Sequence, residues 1–288
     1  MSDNPYAQLV SGYAKAFRDG KQYQNGGFPA PSRPALAPDA PKALIFSPHP
    51  DDECIIGGLA LRLLKESGVR VINVAVTQGS NRERQQARLE ELKGACDYMG
   101  FGLITTGENG LEGINIGRRK EDPEAWATDI EVIRGILDRE KPAAIFVPHA
   151  TDWNSTHIGV HWLVMDALEK MPADFTTLFI GTEYWGAMDD PNLMVASSEE
   201  DVTEMVSGTS FHVGEVTRNP FHLLHPAWMQ DNVRRGSELV GGQGEAAPDF
   251  SFATLYRASR WQNGSIQPAW EGGRMIRLDE GPSESLGI

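Results

Sequence analysis

The sequence predicts an α/β fold: a Rossmann-like, largely parallel sheet flanked by helices. It forms one domain with an irregular N-terminal arm and a C-terminal extension. Two observations carry that reading. From residue 42 to about residue 180, short β-branched apolar runs alternate with amphipathic helical segments, and such alternation means crossovers between parallel strands. The first apolar run, Ala43 to Phe46, leads into Ser47-Pro48-His49-Pro50-Asp51-Asp52-Glu53, a turn that presents a histidine and three carboxylates at a strand's C-terminal tip. Open α/β sheets place their ligand sites at such tips.

Each element has its own signal. Tyr6 to Phe17 reads as a short amphipathic helix. Gly20 to Pro41 is rich in Gly, Pro and Asn and reads as an arm laid over the surface, so residues 1–41 are set apart from a domain spanning 42–288. After the acidic turn, Leu59 to Leu64 are helix formers. Val69 to Val76 is a buried strand ending at Thr77-Gln78-Gly79-Ser80. Arg82 to Met99 is a charged amphipathic helix with Gly100 as its C-cap. Leu103-Ile104-Thr105-Thr106 is a weaker third strand, and Glu124 to Arg139 a helix with Ile130, Ile133 and Leu137 on one face. Ala143 to Val147 is a buried strand ending at Pro148-His149, His157 to Lys170 a helix, and Thr176 to Ile180 a fifth strand. The strand order expected is 3-2-1-4-5.

Composition narrows the function classes. The 288 residues can bury a sizeable core, and 40% hydrophobic with 23% charged residues is ordinary for a globular chain. A formal net charge of −14 argues against nucleic acid or an anionic membrane as partner. Cys54 and Cys96 are too few for a disulfide framework, and both read as packed thiols. No segment is apolar and long enough to span a bilayer, and Met1-Ser2-Asp3-Asn4 has no signal-peptide character. A cytoplasmic location is expected by default. Monomer and homo-oligomer are both left open.

Several carboxylates held close together repel one another unless a cation sits among them or some stay protonated. An imidazole and a carboxylate in one turn suit a metal, with a further carboxylate left free. An Asx-rich turn capping a helix is the plainer alternative. A second stretch with the same chemistry, Pro148-His149-Ala150-Thr151-Asp152-Trp153-Asn154-Ser155-Thr156-His157-Ile158-Gly159-Val160-His161, follows the fourth strand. In the order 3-2-1-4-5 the first and fourth strands are neighbours, so His157 would face His49 and Asp52. Two nitrogens and one oxygen, with a position left for water, describe a catalytic zinc site.

Pro48-His49-Pro50-Asp51-Asp52-Glu53 followed by Gly57-Gly58 resembles the signature of the PIG-L/LmbE-like zinc-dependent N-deacetylases, the family of the glycosyl-phosphatidylinositol, mycothiol and bacillithiol pathway enzymes. The resemblance extends to Gly79, to Arg88-Leu89-Glu90-Glu91 with Ala95, Met99 and Gly100, and to Pro148, Asp152 and His157, and fades after about residue 215. It implies a zinc-dependent hydrolase that removes an N-acetyl group from an amino sugar or related small molecule. It further implies one Zn2+ held by His49, Asp52 and His157, Asp51 as the general base acting on the metal's water, and Arg88 as a residue that holds the sugar.

The chain departs from the family at one point. The family reads His-x-Asp-His where this chain has Asn154-Ser155-Thr156-His157, so the histidine that protonates the leaving amine is replaced. Asn154 becomes a candidate donor to substrate or oxyanion. The acid role falls to Asp51 acting twice or to His212, which lies in a variant of the family's late histidine segment. His161, one helical turn beyond His157, could form a two-histidine pair but reads better as a supporting residue. His149 stays a candidate for the pocket, and Glu53 one for orienting His49 or capping the next helix. The segment from Asn219 to Met229, with His222, His225 and Trp228, suits a sugar platform or a packed contact equally. The tail from Gly281 is expected to be mobile. Two other functions are consistent with these residues: a non-catalytic zinc-containing carbohydrate-binding protein, and an amidohydrolase acting on a non-sugar amide. A nucleotide-binding reading fails because an acidic first turn repels phosphate.

Overall fold

In the computed structural model, which describes residues 4–288, strand β1 (Lys42–Ser47) lies inside the sheet between β2 (Arg70–Ala75) and β4 (Ala144–Pro148). The sheet has nine strands. Its parallel part runs β3-β2-β1-β4-β5, where β3 is Gly102–Thr105 and β5 is Thr177–Thr182. This is the order expected from the sequence. The chain builds outward from β1 through β2 to β3, then returns to the other side of β1 for β4 and β5. The β1 and β4 tips therefore flank the point where the winding reverses, and a crevice opens there.

Period-two alternation sorts the strand side chains onto two faces. Ala43 and Ile45 of β1 join one apolar cluster, while Leu44 and Phe46 join the other. The first face is covered by α3 (Gly58–Ser67) and α4 (Arg82–Met99), through Leu59, Leu63, Leu92, Ala95 and Met99. The second is covered by α6 (Pro123–Glu140) and α7 (Ser155–Leu168), through Ile133, Leu137, Val160 and Val164. Caps fix the helix starts: Asn81 accepts from the Glu83 amide, Asp122 from Ala125 and Asn154 from Thr156. Gly100 ends α4 in the left-handed conformation, as its sequence position indicates. Beside these run the short helices α2 (Asp52–Ile55) and α5 (Arg118–Glu121).

The N-terminal arm begins with a 16-residue helix, α1 (Pro5–Gly20), and continues without regular structure to residue 41. The C-terminal third extends the sheet. β6 (Leu193–Ser197) precedes α8 (Glu199–Thr209), α9 (Val213–Arg218), a 3-10 turn (Phe221–Leu224) and α10 (His225–Leu239). β7 (Phe252–Gln262) then inserts antiparallel between β5 and β6, with β8 (Ser265–Pro268) pairing to it and β9 (Arg274–Ile276) on β6. The tail expected to be mobile is instead α11 (Pro282–Leu286), whose Leu286 is buried in the first core cluster. Arg62, wholly buried in α3, holds that end of the chain by donating to the Glu280 carbonyl at 2.8 Å. Among the described residues no helix is long and apolar enough to cross a membrane.

Candidate metal centre

The turn after β1 is built by an unusual backbone. Asp51 has φ of 118°, a region that strains any residue with a Cβ, at a cost of order 1–3 kcal/mol. Buried bonds maintain it. The Asp51 amide donates to Glu53 Oε2 at 3.0 Å, and Glu53 Oε1 accepts from His212 Nε2 at 2.7 Å and from the Cys54 thiol at 3.3 Å. The His49 amide donates to Asp52 Oδ2 at 2.9 Å. The turn thus presents Asp51, Asp52 and His49 on one side and locks Glu53 on the other.

His157 comes from the first turn of α7, whose start Asn154 caps, and this places the ring over the β1 tip. Its Nε2 lies 3.5 Å from Asp52 Oδ2, and His49 Nδ1 lies 3.6 Å from the same oxygen. One nitrogen or oxygen from each of His49, Asp52 and His157 can be chosen so that all lie within 4.8 Å of one another. His157 Nε2 is buried and bonded to nothing. A buried ring nitrogen facing a carboxylate and a second imidazole, with no partner of its own, suits a divalent cation and makes little sense as an apolar contact. Behind the ring, His157 Nδ1 lies 3.4 Å from Asp152 Oδ2. A carboxylate behind a histidine is the arrangement that fixes ring orientation at metal sites. The donor set therefore fits a metal.

The electrostatics agree. Burial opposes ionisation of Asp52, but the charges of His157 and His49 outweigh it and hold the carboxyl at about 2. Burial also opposes the charged form of His157, and Asp52 and Asp152 overcome it and raise its pKa. Asp51 behaves differently. Burial, then the neighbouring Asp52 charge, push its carboxyl well above the usual range, with Arg88 pulling the other way. A cation beside it would draw that value back down.

Two clefts meet at His49. One, of about 440 Å³, runs past Thr77, Ser80, Gln85, Asn115 and Thr156. The other, of about 450 Å³, is lined by Asp51, Arg84, Arg88, Asn154, Trp185 and Arg218 among others. Asp51 and His49 are thus reachable by a small molecule of sugar size.

The remaining residues named from the sequence take definite places. Arg88 is mostly buried and donates to the Pro50 carbonyl at 3.0 Å, so it steadies the acidic turn as well as lining the second cleft. Asn154 lines the same cleft, with its Oδ1 used as the α7 cap at 2.9 Å. His212 is not brought to the cleft: it is wholly buried behind the turn, against Glu53. A direct proton donation from His212 to substrate has no route in this arrangement. The Glu53 oxygens are bonded to Asp51, Cys54 and His212, so they are not what orients His49. His161 turns away from the triad, its Nδ1 lying 2.7 Å from the Pro148 carbonyl. His149 is held between Thr151 and the Gly186 carbonyl and lines neither cleft.

Sequence reasoning passed over three residues that the site uses. Asp152 served only as a matched position, although a carboxylate five residues before a ligand histidine is a signal in its own right. Arg84 and Arg218 line the second cleft, and nothing in the local sequence marks them for it.

Residues 44–168 match the family described as "PIG-L: GlcNAc-PI de-N-acetylase". Among curated proteins none matches the sequence. Solved structures with the same fold include N,N'-diacetylchitobiose deacetylase from Pyrococcus horikoshii, at 16% identity and TM-score 0.54, covering 93% of this chain and 97% of that one. The zinc-inhibited form of teicoplanin deacetylase Orf2 has 14% identity and TM-score 0.55, covering 76% and 98%. GalB, the 4-carboxy-2-hydroxymuconate hydratase from Pseudomonas putida KT2440, has 14% identity and TM-score 0.55, covering 76% and 95%. At these identities the likeness establishes the fold.

Proposed function

Because residues 44–168 carry the PIG-L family segment, we propose that this protein is a metal-dependent hydrolase that removes the N-acetyl group of an amino sugar. The observation that carries the reading is the unpartnered, buried His157 Nε2 facing Asp52 and His49. Zinc is the metal proposed, since two imidazoles and one carboxylate make a donor set that suits it. When bound, such a cation supplies a Lewis acid that lowers the pKa of water and polarises an amide carbonyl.

The chain's own residues supply the rest. His49, Asp52 and His157 hold the cation, and Asp152 keeps the His157 ring aimed. Asp51 lines the cleft beside His49 and takes the proton from the attacking water. Its strained backbone, braced by Glu53 and His212, aims the carboxylate into the cleft instead of into the helix. The leaving amine must collect a proton, and Asn154 cannot give one. Asp51, once protonated, lies on the same cleft wall and returns the proton it took. His212 contributes by positioning Glu53. Asn154 offers its amide nitrogen to the acetyl oxygen or a sugar hydroxyl, while Trp185 provides an apolar face for the ring.

The proposal is tested by acetate release from N-acetylglucosamine, its β-1,4 dimer and substituted N-acetylhexosamines, each with and without a chelator. Metal-dependent acetate release supports it. A protein that binds stoichiometric metal and sugar but releases no acetate from any of them would instead be a carbohydrate-binding protein. The GalB likeness makes addition of water to an unsaturated acid a useful control reaction.

A further inference from the structure

We propose that the second cleft recognises an anionic group of the substrate, a carboxylate or a phosphate, through Arg84 and Arg218. The inference rests on the hydrolase reading and names the class of substrate.

Arg84 stands in the first turn of α4 and Arg218 at the end of α9, elements 131 residues apart in the chain at their point of contact. Both converge on Glu215. Arg84 Nη2 donates to Glu215 Oε1 at 2.7 Å, Arg218 Nη2 donates to Oε2, and Arg88 Nε lies 3.7 Å from Oε1. Three guanidinium groups thus share one carboxylate. By contrast, Arg82 meets Glu112, Arg134 meets Glu131 and Arg234 meets Asp231, one carboxylate to each arginine. Counting Asp51 on the same wall, three arginines face two carboxylates in one cleft of a chain whose net charge is −14.

The donors left over are well placed for an anion. Arg218 is exposed and Arg84 partly so, and each guanidinium has five N–H groups of which one meets Glu215. Arg88 is tied to the Pro50 carbonyl, and its Nε is buried with no hydrogen-bond partner. The same cleft is lined by His49, Asp51, Asn154 and Trp185. A group docked on Arg84 and Arg218 therefore belongs to the molecule whose amide meets Asp51. Planar guanidinium groups bind carboxylate and phosphate oxygens in pairs, which a lysine does not reproduce. A purely structural ion network would tie α4 to α9 without regard to substrate charge, and this difference can be measured.

The test compares kcat/KM of the metal-loaded enzyme for N-acetylglucosamine, N-acetylglucosamine 6-phosphate and N-acetylmuramic acid, which carry no anion, a phosphate and a carboxylate. The expected result is a preference of at least about tenfold for one anionic sugar over the neutral one, from a charge-assisted contact. That ratio should fall about tenfold in Arg84→Gln and in Arg218→Gln, mainly through KM, and recover in part in Arg218→Lys. It should also shrink with added salt. An anionic-to-neutral ratio that is at or below one, or unchanged in both variants, overturns the proposal and leaves the hydrolase reading intact.

A direct binding measurement separates the two ideas if no sugar is turned over. Inorganic phosphate and malonate are titrated into the same metal-loaded protein, followed by tryptophan fluorescence. Binding that weakens about tenfold in Arg84→Gln and Arg218→Gln supports the anion site independently of the reaction. Equal binding by parent and variants overturns it.

Discussion

Glu53 Oε2 accepts the amide hydrogen of Asp51 at 3.0 Å, and this bond joins a buried brace to the residue proposed as the base. The other oxygen of Glu53 accepts from His212 at 2.7 Å. Removing Glu53 leaves both donors buried and unpaired, each at a cost of about 1–3 kcal/mol. Glu53→Ala should therefore lower the denaturation midpoint. His212→Asn should keep the fold and lose kcat with little change in KM, because it loosens Asp51 without touching substrate. A His212→Asn enzyme with parental kcat would show that the brace has no part in positioning.

Asp51→Asn should retain the metal and the fold and lose the reaction, because an amide cannot accept a proton from water at neutral pH. A loss of about 10²–10⁴ in kcat is expected of a positioned general base. The control is metal content by elemental analysis. Near-parental turnover by a fully metal-loaded Asp51→Asn protein would remove Asp51 from the base role.

Asp152 sits behind His157, with Oδ2 3.4 Å from Nδ1. Asp152→Asn should weaken metal affinity about 10–100-fold, measured by competition with a chromogenic chelator. Unchanged affinity would mean that the ring is oriented by packing alone.

His225 gives a pH dependence away from the metal. It is fully buried, with Nε2 2.8 Å from the Ile55 carbonyl, and burial holds its pKa at about 4, well below the usual 6.5. The unfolded chain takes up this proton first as pH falls. The neutral ring thus contributes stability that is complete above the unfolded pKa and lost as pH drops through 6.5 toward about 4, roughly 3 kcal/mol in all. His225→Gln keeps a donor for Ile55 and has no proton to gain. The parent's unfolding free energy should fall by about 3 kcal/mol relative to the variant's as pH drops through that window, and parallel plots would contradict the assignment.

Much of this was legible in the sequence, for identifiable reasons. The parallel half of the sheet announces itself because strands buried on both faces read as continuous apolar runs between amphipathic helices. The doubly wound order 3-2-1-4-5 then sets β4 beside β1, and with it the meeting of His157 with His49 and Asp52. The C-terminal half of the sheet was illegible. β7, Phe252–Gln262, is interrupted by Arg257 and Arg260 and pairs with β5 and β6 across 55 or more residues, which local patterning cannot reveal. α11 looked like a loose tail because Gly281, Pro282 and Ser283 carry no apolar periodicity, yet the burial of Leu286, the reach of Arg62 and a Ser283 amide bond to Ser67 tie it down. His212 looked like a proton donor because its segment resembles the family's late histidine segment. Its 0% exposure, which no sequence displays, makes it a brace.

On the proposed reading, one metal held by His49, Asp52 and His157 is required for acetate release. The most direct measurement is a zinc titration of chelator-stripped protein, following acetate released from the best N-acetylated sugar. Activity should rise from background to a plateau at one equivalent of zinc per chain for the parent, and His157→Ala should show no such break. Acetate release that is full before zinc is added, or a His157→Ala titration that matches the parent's, would contradict it.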